Sequence, residues 1–149
     1  MTTHNVKYGL LITALLIAYF FVLKLLGLHT YTVLSAFNGV IYGFGIYMAI
    51  TSFKKTHSDF KYEEGFQSGL FSGFFATVLF TIVMAIYMFH INPEFADIIL
   101  GRWERNYDNG PYLLVISVLL MGLATSFVLT LAFMQLLKDS WNTNQNKPN

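Results

Sequence analysis

The stretch EGFQSGLFSGFFATVLFTIVMA, residues 64–85, is apolar for long enough to cross a bilayer and carries Gly65, Gly69, Gly73, Thr77, Thr81 and Ala85 at intervals of four. In lipid, helices gain little from burying apolar surface against one another, so they associate where small residues let backbones come close. A strip of small residues in a bulky aromatic run is therefore a helix-contact face. Intervals of four drift by about 40° per step around a helix of 3.6 residues per turn, so the strip suits a right-handed crossing or two successive partners.

Outward from this stretch, helices are predicted over about residues 8–27, 31–53, 62–90 and 111–137, each reaching the roughly 20 residues that a bilayer core requires. Strands of an outer-membrane barrel would be about 10 residues long and alternate in polarity. The fold class is all-α: a polytopic membrane protein with four transmembrane helices in a single membrane domain, 1–149. Composition agrees, with 55% hydrophobic and 11% charged residues where a soluble domain carries roughly 25% charged. The first run is too long for a signal-peptide core and has no small-x-small cleavage site before Thr30, so it is expected to stay attached. Cysteine is absent, and a net charge of +1 gives no basic surface for nucleic acid.

Lys7, Lys54, Lys55, Lys61, Lys138 and Lys147 flank one side of the predicted spans, against Lys24, Arg102 and Arg105 on the other. The positive-inside rule then places both termini in the cytoplasm. The longest loop, residues 91–110, is expected to hold a short amphipathic helix over about 93–105, with Asn92 as cap and Pro93 in its first turn. Phe95, Ile98, Ile99 and Trp103 fall on its apolar face. Such a helix lies either in the headgroup layer or over the mouth of the bundle. The tail, about 141–149, is polar and expected to be disordered.

Two other helices carry small stripes. Ser35, Gly39 and Gly43 lie on the second helix, and Gly122, Ser126 and Thr130 on the fourth. The packing residues expected are Gly39, Gly43, Gly65, Gly69, Gly73, Gly122 and Ser126, with the second helix meeting the opening strip through Gly39 and Gly43. Polar positions that could carry function are Asn38, Glu63, Glu64, Gln67 and His90. Each has a plainer role. Asn38 can glue helices by hydrogen bonds, and Glu63 and Glu64, after a cap expected at Asp59, suit the positive end of a helix dipole. Lys24 can snorkel to the interface.

No carboxylate lies deep in a span, which lowers the expectation of proton-coupled transport. No metal-ligand spacing, nucleophile motif or nucleotide-binding glycine pattern is present. Catalysis, cofactors and metals are not expected.

The segments KYGL at residue 7, DFKYEEGFQSGL at residue 59 and NPEF at residue 92 together resemble the family called domain of unknown function 4199. These are small bacterial membrane proteins found chiefly in Bacteroidota. The resemblance spans about residues 7–137 and implies a four-helix protein of the bacterial inner membrane; it supplies no catalytic residues. The expected function is non-enzymatic, through helix contacts, as a self-associating bundle or an accessory subunit of an envelope complex. The alternative is a channel or facilitator for a small solute, lined by Asn38, Thr77, Thr81, Ser126 and Thr130. Expected partners are membrane lipids and a second copy or another membrane protein.

Overall fold

Four runs too apolar to be solvated by water fold as helices that satisfy every backbone group internally, as lipid demands. The computed structural model describes residues 2–57, 61–101 and 109–137. Among these the elements are α1 (Thr2–Leu25), α2 (Thr32–Thr56), α3 (Tyr62–Ile86), a π-helical turn (Tyr87–Ile91) that extends α3, α4 (Glu94–Gly101) and α5 (Gly110–Leu136). Helices α1, α2, α3 with its π turn, and α5 are each long and apolar enough to cross a membrane. The chain is an all-helical, multi-pass membrane protein.

The first helix begins at Thr2, earlier than the predicted 8, because its polar first turns have partners in the bundle. His4 Nε2 lies 3.0 Å from the Ala49 carbonyl of α2, and its ring packs on Tyr8 and Phe53. The helix stops where Gly27 adopts φ +71°. The Gly27 amide bonds to the Lys24 carbonyl at 3.0 Å and the Leu28 amide to the Leu23 carbonyl at 2.8 Å, a Schellman ending that only glycine enters without strain. At the far end of the chain, Lys54 Nζ donates to the Leu137 carbonyl at 3.0 Å, so a cation from α2 closes the C-terminus of α5.

Two faces result. The terminal face gathers the start of α1, the end of α2, the start of α3 and the end of α5. The opposite face holds the α1–α2 turn, the π turn and α4. Helices α1 and α3 run parallel, as do α2 and α5, and α3 packs against all three other spans. A central core of Ile12, Leu16, Tyr42, Ile46, Ile50, Ala76 and Met134 fills the middle. A second cluster of Met84, Tyr87, Met88, Phe95 and Ala96 lies under α4.

Corrections to the sequence reading arise at the caps. The cap position of α3 is Lys61, with no side-chain cap bond; Asp59 lies outside the described residues. The tail and Trp103 also lie outside the described residues.

Candidate functional site

The strip on α3 and the stripe on α5 run antiparallel against each other. Thr130 faces Gly69, Ser126 faces Gly73 and Thr77 faces Gly122, so each step of four up one helix matches a step of four down the other. A Cβ placed on Gly73 would lie 2.7 Å from Ser126 Oγ, and one on Gly122 would lie 2.5 Å from Thr77 Cγ2. Those distances leave room for a hydrogen and nothing more. Gly65 is buried at the start of the same strip.

The expected partnership of this strip with Gly39 and Gly43 does not form. Gly39 faces open space, and Gly43 meets Leu129 and Phe133 of α5 at ordinary contact distances of 3.4 and 3.7 Å. What α2 presents to α3 is larger: Ile50 against Gly69 and Tyr42 against Gly73. Two close approaches were missed from the sequence. Gly45 of α2 receives Ile12, and Gly9 of α1 receives Phe75 and the Ser72 carbonyl.

At the centre of the α3–α5 seam sits Tyr42, 6% exposed. Its hydroxyl lies 2.7 Å from the Gly73 carbonyl, 2.6 Å from Thr77 Oγ1 and 3.3 Å from the Gly122 carbonyl, and it also bonds Ser126 Oγ. A phenol has one proton to give. If Tyr42 donates to Gly73 and accepts from Thr77 and Ser126, all three hydroxyls are satisfied. The glycine at 73 is what admits the phenol, since a Cβ there would stand 3.1 Å from its oxygen. Tyr42 was absent from the sequence-based candidates. Its position midway along the span predicted over 31–53 was the available signal, being too deep for an interfacial aromatic.

The other hydroxyls of the seam are Thr81, Thr130 and, on the neighbouring face, Ser72; all are buried and their oxygens have no partner among the described residues. Asn38 is half-buried in the first half of α2, and its enclosed carbonyl oxygen is likewise without a partner among the described residues. Gln67 donates to Glu63 Oε1 at 3.3 Å. Glu63 is exposed, Glu64 is half-buried and His90 is exposed on the π turn. These five polar candidates do not converge, and no group of His, Asp and Glu able to hold a metal occurs among the described residues.

Under α4 lies an aromatic cluster. Phe95 is buried against Phe20, His29 and Tyr87, Ile99 packs on the same cluster, and Ile98 stays exposed. The apolar residues of the loop helix are therefore divided, with Phe95 and Ile99 against the bundle and Ile98 outside. Lys24 Nζ lies 4.6 Å from the centre of the Tyr87 ring, a cation–π contact that holds the ammonium at the helix end. His29 stacks on Phe95 with ring centres 5.5 Å apart. Burial, and secondarily the charge of Lys24, lowers its pKa below the usual imidazole value, so it stays neutral where a free histidine would begin to charge.

A family model described as protein of unknown function (DUF4199) matches residues 7–139. No curated protein and no solved structure matches the chain.

Proposed function

The chain belongs to the DUF4199 family of proteins of unknown function, and from that premise we propose that it is a non-enzymatic membrane protein that acts through helix contacts, self-association foremost. The observation that carries this reading is a difference between stripes. Those of α3 and α5 are consumed by each other, whereas on α2 Ser35 and Gly39 are exposed, with nothing within 4 Å of Gly39. A second helix laid on this face could approach closely at Gly39, which favours association in lipid.

The test is oligomer mass in lipid nanodiscs. Wild type is expected to assemble, and Gly39→Leu to weaken assembly roughly tenfold, the effect of about 1.4 kcal/mol, with thermal stability of the monomer unchanged. A wild-type protein that stays monomeric and carries no second membrane protein on purification would sink the reading. A heteromeric partner at the same face would make the chain an accessory subunit instead. A solute path is the less favoured reading, because Thr77, Thr81, Ser126 and Thr130 are buried in the seam and would need α3 and α5 to part.

The bacterial inner membrane, with both termini in the cytoplasm, is part of the same proposal and rests on the lysine asymmetry. Reporter fusions placed after Gly27 and after Asn149 are expected to report opposite sides. A periplasmic signal from the C-terminal fusion would reverse the orientation.

A further inference from the structure

Helix α4 is fastened to the bundle through a cage of rings that has one titratable base. Phe95, 7% exposed, stacks on His29 of the α1–α2 turn with ring planes 11° from parallel. Phe20 of α1 and Tyr87 of the π turn meet Phe95 in T-shaped contacts at 6.0 and 5.4 Å, and Phe20 makes a third with His29 at 6.1 Å. Ala96 is fully buried beside this cage, and Leu100 lies against Gly110 of α5. A helix of eight residues is too short to hold its shape alone. Its order therefore depends on these contacts, and the stacked imidazole is the one member whose charge changes near neutral pH.

The surroundings of that imidazole suit its neutral form. Nδ1 of His29 is enclosed and has no hydrogen-bond partner among the described residues. A neutral ring can leave this nitrogen bare and carry its proton on Nε2, whereas an imidazolium carries a proton on both. Protonation therefore puts an N–H where no acceptor meets it. From α1, Lys24 adds a positive charge, its ammonium standing over the Tyr87 ring. The carboxylates of α4 do not offset it, since Asp97 lies toward Gly110 and Glu94 is exposed; His90 is exposed on the π turn. The face of Phe95 attracts a cation, but against it stand the unmade hydrogen bond, burial and Lys24, and the last two hold the His29 pKa below the ordinary value. We propose that His29 is a proton-operated latch, which holds α4 docked while the imidazole is neutral and releases Phe95 and α4 into the headgroup layer when it is protonated. A released histidine returns to the ordinary value of 6.5 while the docked one lies below it. Docking is thus fully held above that pH and weakens as the pH falls below it, until the docked ring is protonated too.

The experiment is backbone hydrogen exchange of the full-length protein in lipid nanodiscs, which bathe both faces in buffer. It is read at about pH 7.5 and about pH 5, the span over which histidine changes charge, with each rate divided by the intrinsic rate at that pH. Wild type is expected to lose protection severalfold over residues 98–101, the last turn of α4, at the lower pH, while the middle of α5 keeps its protection. His29→Phe retains a ring to stack on Phe95 and removes the titrating nitrogens, so α4 is expected to stay protected at both pH values. His90→Gln, on the same face, is expected to respond as wild type does. Equal protection of α4 in wild type at the two pH values would overturn the proposal. So would a loss that persists in His29→Phe or vanishes in His90→Gln. A loss shared equally by α5 would mean acid unfolding of the whole bundle and would overturn it as well.

Discussion

Gly73→Leu is expected to cost the bundle about 3 kcal/mol or more, the sum of overpacking and broken hydrogen bonds, and to do so while Gly39→Leu leaves monomer stability nearly unchanged. A Cβ alone on Gly73 would stand 2.7 Å from Ser126 Oγ, 3.0 Å from Ser126 Cβ and 3.1 Å from Tyr42 Oη. The first two sit next to the α5 backbone, and the third is pinned by hydrogen bonds, so no rotamer change relieves the clash. Helix α5 itself has to withdraw. Gly69 is a milder case, because its neighbours are Ile50 Cδ1 and Cγ1 at 2.8 and 2.9 Å and the Thr130 Cγ2 methyl at 2.9 Å, all outer side-chain atoms with none bonded to oxygen or held by a hydrogen bond. A terminal methyl can move by rotation. The expected order of destabilisation is Gly73→Leu, then Gly69→Leu, then Gly39→Leu near zero. Thermal unfolding in detergent ranks them, with Met121→Leu on the exposed face of α5 as control. Equal stability of the Gly39 and Gly73 variants would contradict the seam as a close contact of α3.

The four spans and the special character of the strip were legible because both are local. Twenty apolar residues must cross a bilayer wherever they occur, and glycine at intervals of four marks a close contact on any membrane helix. Which helix fills the contact is not local. Gly39 and Gly43 resemble Gly69 and Gly73 in spacing, yet one pair borders open space and ordinary contacts while the other borders Ser126 and Tyr42. That difference depends on the rotation of α2 about its own axis, which Gly45 sets by receiving Ile12. Similarly, the polar residues that stand out in the sequence, such as Gln67 and His90, are conspicuous because they lie near span ends, where polarity is cheap. The hydroxyl that ties α2 to both α3 and α5 was hidden in plain apolar company, in the run GVIYGFGIY at residue 39. The start of α1 was missed for the converse reason. Its first turns look like solvated tail, and only tertiary partners such as the Ala49 carbonyl make them helix.

Tyr42→Phe is expected to destabilise the monomer by about 2 kcal/mol, toward the top of what interhelical hydrogen bonds supply in membranes. The ring and its packing against the core survive, so the loss isolates the hydroxyl. Without it Thr77 loses its partner at 2.6 Å, while the Ser126 proton turns to the Gly122 carbonyl at 2.8 Å. Thr77→Val removes the complementary group at constant shape. If the three hydroxyls act as one node, the double variant costs less than the two single variants added together, because each single change strands the other partner. Additivity within about 0.5 kcal/mol would mean that Tyr42 and Thr77 act independently and that the seam is held by close packing alone. The same pair separates the two functional readings. In a bundle built for helix contact, stability falls and assembly through the Gly39 face of α2 persists, since that face lies outside the seam. In a solute path the hydroxyls would serve the solute, so Tyr42→Phe would change flux into proteoliposomes at undiminished stability.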